Sequence, residues 1–466
     1  KLMSISLNSK RWFLTLLLFS CSVCQIFAAW NGPSRDHAKT YSTPYQDGYL
    51  SSLHATCGLK KIKYREMKVK VETWEVFTPE LETGKLKVAV ALQRNSKKKI
   101  LRAPLAIFIP GTFGNLNGTM ANRWMDSLTR LGYHVISFPN PFGTDFVSQV
   151  PMGKFGTVTT EAKSLYGVVR EIYKKLRMFH ALNGSVRLIG ISLGGFFSSI
   201  LAALDAEHPN PILTTDATII SPPFHLGRGI DRLDGLVDEL RDPYQEMSLL
   251  RTFFKFRKLC RLESSSEANV ETLRDARGLV SFHGFYKGLM SSVKKYDKVR
   301  SLSYIPKKKS AYQRWRNRFK FSTYYDDLNP EGKRIIRSVK GHLYYWMAKA
   351  YRAGFPSIRV LTTTDDFFND PGAWNSLDLH PMRDGMNGMY GLILDPEMWA
   401  RIRQNLIVLE HGGHYGFRGK PWFEKFIRLS FGWNEELTRR QANFEELYPE
   451  PALELPVVDT EINPFQ

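Results

Sequence analysis

The run Ser185-Val-Arg-Leu-Ile-Gly-Ile-Ser-Leu-Gly-Gly195 restricts the fold more than any other stretch of the chain. A short apolar segment of this kind reads as a strand buried on both faces, and small residues after it open a helix. Glycines at 190 and 194 flank Ser192 because a sharp strand-to-helix turn strains its central residue and crowds its neighbours. Such a turn lifts a serine hydroxyl clear of the sheet at a helix N-terminus, where developing negative charge is favoured. The plainer reading is a glycine-rich turn in a helix–sheet contact.

The surrounding pattern supports the first reading. Val69–Phe77 and Lys85–Leu92 alternate apolar and polar residues around Gly84, as an antiparallel hairpin at a sheet edge does. From Pro104 the strands become solidly apolar: 105–109, 134–138, 185–189, 217–221, 358–362 and 405–409. Helices are expected at 119–131, 159–180, 194–206 and 421–430. This is an α/β pattern, a mostly parallel central sheet with helices on both faces. The rhythm stops at Ser221-Pro-Pro223 and resumes at Ile358, and the basic, helix-forming residues between are too many for one crossover. The expected organisation is therefore an N-terminal extended segment 30–66, a core 67–223, an inserted basic helical lid 224–356, a second core part 357–433 and an acidic tail 434–466.

A serine hydroxyl needs a base, and the base needs an orienting acid. In a sheet of this kind the partners follow in the order Ser, Asp, His on loops after later strands. Asp365 and Asp366 end the strand 358–362, and His411 and His414 follow the last strand in Leu-Glu-His-Gly-Gly-His-Tyr-Gly-Phe417. Asp366, before Phe367-Phe368, is preferred as acid, with Asp365 the alternative. His414, between Gly413 and Tyr415-Gly416, is preferred as base, with His411 the alternative. Two histidines also suit zinc, but no third and fourth ligand accompanies them at a suitable spacing, so neither metal nor cofactor is expected. Oxyanion donors are expected at the Leu193 N–H and, in the loop Pro110-Gly-Thr-Phe-Gly114, at Thr112.

Pro-Gly-Thr-Phe-Gly-Asn115, Gly-Ile-Ser-Leu-Gly-Gly195, Ser-Pro-Pro-Phe-His-Leu226, Thr-Thr-Asp-Asp-Phe-Phe368 and Glu-His-Gly-Gly-His-Tyr-Gly-Phe417, in this order, resemble the YheT-like branch of the α/β-hydrolase superfamily. The resemblance covers roughly 70–430 without the insertion. It implies an α/β-hydrolase fold and a Ser192-His414-Asp366 triad that cleaves carboxylic esters, acyl lipids among them. Phe367 in place of proline after the acid pair, Thr112 in place of a hydrophobic residue, and a longer, more basic insertion depart from the family pattern.

Charge bears on partners. The chain carries a net +20, but residues 251–352 hold 25 Lys/Arg against 8 Asp/Glu, so the excess is local. The stretch Lys307–Tyr325 interleaves basic and aromatic side chains, which suits an anionic membrane surface, single-stranded nucleic acid, or a solvated helix roofing a site. Residues 1–29 read as a secretory signal peptide; a membrane anchor or a lipidated Cys21 are the alternatives. Export disfavours nucleic acid and leaves a small-molecule or lipid ester as the expected partner. Without Cys21 and Cys24, Cys57 and Cys260 form one bridge or remain two thiols. The competing functions are a non-catalytic protein that binds anionic surfaces through the insertion, and an amidase or peptidase using the same triad.

Overall fold

The computed structural model describes residues 33–57, 63–67, 69–81, 84–149, 155–245, 247–374, 396–418 and 420–431. The expected signal segment with Cys21, and the acidic tail, lie outside the described residues.

Eight strands form one sheet in the order β1-β2-β4-β3-β5-β6-β7-β8. They are β1 (Val71–Phe77), β2 (Lys85–Ala91), β3 (Ala103–Ile109), β4 (His134–Ser137), β5 (Leu182–Ile191), β6 (Ala217–Ile220), β7 (Ile358–Thr363) and β8 (Leu406–Leu409). The hairpin β1–β2 is antiparallel, with Val71 opposite Ala91, and β2 runs antiparallel to β4. From β4 to β8 every pairing is parallel.

The solid apolar strands follow from burial on two faces. Along β3, Leu105, Ile107 and Ile109 enter one core while Ala106 and Phe108 enter the other, because successive side chains point to opposite sides of a pleated strand. The helices Val158–Met178 and Leu193–Ala206 cover the first face, with Leu165, Val169, Phe196 and Ile200 buried. The helices Thr119–Arg130 and Pro421–Phe431 cover the second, through Trp124, Leu128, Phe423 and Phe426. Each such side chain contributes about 1.5–3 kcal/mol of burial.

The chain between β6 and β7 is helical, beginning with Leu226–Gln245 and ending with Leu343–Arg352. Its Leu240, Tyr244, Leu289 and Val293 belong to the first core, so the insertion is packed onto the sheet. Its start at His225 meets His342, the residue before its last helix; the two bridge as isolated β residues with rings 5.9 Å apart. Each imidazole caps a helix: His225 Nδ1 accepts from Arg228 N at 3.1 Å, and His342 Nδ1 from Tyr344 N at 3.2 Å. Leu279–Tyr286 is a π-helix, which the sequence pattern does not announce.

One expectation is corrected. The segment 30–66 is not simply extended: it contains the helices Pro33–Ala38 and Gly48–His54, the latter capped by Asp47, whose side chain accepts from Leu50 N at 2.8 Å. The aromatics of Lys307–Tyr325 turn largely inward, as in the reading of a solvated helix. Phe319, Phe321, Tyr324 and Tyr325 are buried and Trp315 stacks on Phe319 at 4.7 Å, so mainly the lysines and arginines of this stretch face solvent. Cys57 and Cys260 form a disulfide that ties the N-terminal segment to the insertion across 203 residues.

Candidate active site

The site lies where the parallel strands end. β5 finishes at Ile191, and Ser192 follows with φ 53° and ψ −128° before helix Leu193–Ala206 begins. This left-handed conformation costs a non-glycine residue of order 1–3 kcal/mol. It is held because Ser192 N–H donates to Ile220 O at 2.8 Å while its carbonyl accepts from Gly195 N at 2.8 Å. Glycines are needed on both sides: a Cβ at Gly194 would overlap the Ile109 and Pro110 carbonyl oxygens, and one at Gly190 would overlap Gly194 O. The sheet order and this strained turn decide the architecture. The fold is that of the α/β-hydrolases.

Ser192, His414 and Asp366 form one hydrogen-bonded chain. His414 Nδ1 lies 2.9 and 3.0 Å from the two carboxylate oxygens of Asp366, and His414 Nε2 lies 2.7 Å from Ser192 Oγ. An ionised carboxylate only accepts, so the imidazole proton is on Nδ1 and the Nε2 lone pair faces the hydroxyl, which donates to it. Asp366 is buried, and its Oδ1 also accepts from Phe368 N at 3.0 Å, fixing the carboxylate. Phe367, Phe368 and, from the insertion, Phe285 pack on the His414 ring at centroid distances of 5.4, 4.8 and 6.3 Å. They exclude water from the pair, which strengthens its electrostatics.

The two alternatives have other partners. Asp365 turns away from His414 Nδ1 and accepts from Gly413 N at 2.7 Å and Gly412 N at 3.2 Å, clamping the histidine loop. Burial raises its pKa above the ordinary carboxylate value. His411 Nδ1 stands 3.9 Å from Asp365 Oδ2. Among the described residues no group of His, Cys, Asp and Glu is placed to hold a metal ion. The loop is closed from below by helix Gly48–His54, where a Cβ at Gly413 would overlap the Gly48 carbonyl oxygen; Thr363 Oγ1 also donates to Gly413 O at 2.8 Å. Tyr49 of that helix stacks on Phe367 at 4.4 Å.

The loop 110–114 passes over Ser192, since a Cβ at Gly111 would lie 3.1 Å from Ser192 Cβ. A residue without a sequence signature fixes it: Asn140, fully buried, donates from Nδ2 to Pro110 O at 2.8 Å and from its backbone N to Gly114 O at 2.8 Å. Thr112, Ser192 and Phe285 line two hollows. One, of about 590 Å³, also takes in Gly111, His414 and, from the insertion, Phe253, Phe256 and His283. Burial, reinforced by the Lys287 ammonium, lowers the His283 pKa to about 4. The other, of about 40 Å³, is apolar and runs past Leu193 to Val158, Leu226, Ile230 and Leu233. A third hollow of about 410 Å³, between helices Thr119–Arg130 and Pro421–Phe431, contains none of the three chained residues.

No family model matches the chain, and no curated protein does. Among solved structures it is similar to a hyperthermophilic esterase from the archaeon Pyrobaculum calidifontis at 14% identity, covering 85% of this chain and 89% of that one with a TM-score of 0.34. An esterase of Pyrococcus furiosus gives 11% identity, 82% and 94% coverage and a TM-score of 0.39. A thermostable esterase from Pseudomonas putida gives 13% identity, 85% and 89% coverage and 0.37.

Proposed function

We propose that the chain is an exported serine hydrolase that cleaves carboxylic esters through an acyl-enzyme, as a member of the YheT-like branch would. The observation that carries this is the unbroken chain from Ser192 Oγ through His414 to buried Asp366, at 2.7 and 2.9 Å, opening on a cavity. In this reading Ser192 Oγ attacks the ester carbonyl carbon while His414 Nε2 takes its proton. The tetrahedral oxyanion accepts from the Leu193 and Thr112 N–H groups, and collapse expels the alcohol, which takes the proton back from His414. Water, deprotonated by His414, then attacks the acyl-serine and releases the acid. Asp366 keeps the Nδ1 tautomer and stabilises the imidazolium. The apolar hollow behind Leu193 suits the acyl group, and the larger cavity suits the alcohol. The Cys57–Cys260 disulfide favours an oxidising compartment, in keeping with export.

A fluorophosphonate probe tests the reading. It should label the folded protein, and Ser192→Ala should abolish labelling without lowering the melting temperature. No labelling of the folded wild type, or labelling that persists in Ser192→Ala, would sink it.

A further inference from the structure

The helix Leu249–Leu259 presents its hydrophobic side to solvent. Leu249, Leu250, Phe253 and Phe254 are 82%, 65%, 55% and 57% exposed, and no other described helix exposes as many large apolar side chains. They stand at i, i+1, i+4 and i+5, so they form one face two turns long. The next turn of that face is basic, with Arg257 and Lys258 exposed, and Arg251 lies at its margin. None of these three cations makes an ion pair among the described residues, whereas Lys255, nearer the core, is held by Asp275. No acidic residue occurs between Glu246 and Glu263.

The same helix walls the larger cavity beside Ser192. Leu249, Thr252, Phe253 and Phe256 line it, so Leu249 and Phe253 belong both to the exterior face and to the cavity wall. The exposed apolar face therefore borders the cavity that reaches Ser192 and His414. The base of the helix is fixed, because Leu259 is buried and Cys260 carries the disulfide to Cys57. An apolar face bounded by exposed cations is complementary to a bilayer with acidic headgroups, where the side chains enter the acyl boundary and the cations meet phosphates.

We infer that the helix Leu249–Leu259 docks the protein on an anionic lipid surface and brings lipid acyl esters to the mouth of the cavity. The delivery step rests on the proposed esterase reading; the docking surface does not. This face differs from Lys307–Tyr325, whose aromatics are largely turned inward.

The full chain is sedimented with phosphatidylcholine vesicles and with vesicles containing one-third phosphatidylglycerol, in parallel with Ser192→Ala and with the double variant Leu250→Asp/Phe254→Asp. Both positions of the double variant are exposed and outside the cavity lining. Wild type and Ser192→Ala should bind the anionic vesicles equally, and less in high salt. The double variant should lose at least about tenfold in binding and in hydrolysis of a vesicle-borne acyl ester, yet keep its turnover of a soluble short-chain ester. Neutralising Arg251, Arg257 and Lys258 together should reduce binding to the anionic vesicles roughly a hundredfold. Absence of wild-type binding, or undiminished binding of the double variant, overturns the proposal. So does a wild-type dimer that ignores vesicles and becomes monomeric in the double variant, since the face is then covered by a second copy. Vesicle binding in this pattern with no ester turned over by wild type would uphold the surface and defeat the catalytic reading.

Discussion

His414 and His411 stand three residues apart in one loop, yet only His414 reaches Ser192. His414→Ala should therefore lower kcat by several orders of magnitude, while His411→Ala should retain most of it. The two aspartates separate in the same way. Asp366→Asn removes the acceptor that sets the Nδ1 tautomer and should cost about 10³–10⁴ in kcat; Asp365→Asn loosens the histidine loop and should cost far less, with a lower melting temperature. Steady-state kinetics with a p-nitrophenyl ester checks both pairs. Asn140→Ala, which frees the loop over Ser192, should depress kcat with little change in KM. At this scale Ser192 and His414 were legible, because a strand, a glycine turn and a glycine loop leave few other uses for those side chains. The choice between Asp365 and Asp366 rested on the two phenylalanines that follow, which do pack on the His414 ring. Asn140 was not legible, since a buried asparagine takes its meaning from a carbonyl 30 residues away.

The clasp of His225 and His342 within the insertion predicts an acid sensitivity. Burial, with Arg228 adding to it, lowers the His225 pKa to about 4; burial, with His225 and Arg228, lowers that of His342 to about 3. Below pH 6.5 the unfolded chain takes up protons that the folded clasp refuses, so stability falls as the pH drops from 6.5 towards 4. Asparagine also caps helices but does not titrate, so His225→Asn/His342→Asn should show a shallower loss between pH 6.5 and 4.5 in urea melts. An unchanged slope would contradict the assignment. Among the elements, the apolar strands and long helices were legible from period and length. Helix Gly48–His54 was obscured by its Tyr- and Ser-rich composition, although Asp47 before Leu50 and Leu53 was a capping signal. The run Lys307–Tyr325 leaves several readings open in the sequence, because charge and aromaticity alternate without saying which of them faces inward.

At the scale of the molecule, two cores grip the sheet among the described residues, and the Cys57–Cys260 disulfide ties the N-terminal flank to the insertion. Phe108, buried in the middle of β3, should cost about 3–5 kcal/mol when replaced by alanine, measured by chemical unfolding. Reducing Cys57–Cys260 releases a constraint worth about 5 kcal/mol at most in the chain-entropy picture, so thiol reductant should lower the melting temperature. The mostly parallel sheet is legible in the βα rhythm, whereas the docking of residues 33–57 against the histidine loop depends on contacts hundreds of residues apart. The proposed reaction requires that Ser192 become acylated. Rapid acid quench of the protein during turnover of a p-nitrophenyl ester, followed by peptide mass spectrometry, tests it most directly. Acylation of Ser192 should give a burst of p-nitrophenol matching the enzyme concentration and an acyl adduct on the peptide bearing Ser192, both absent from folded Ser192→Ala. Turnover with no adduct, or with an adduct on another residue, would contradict it.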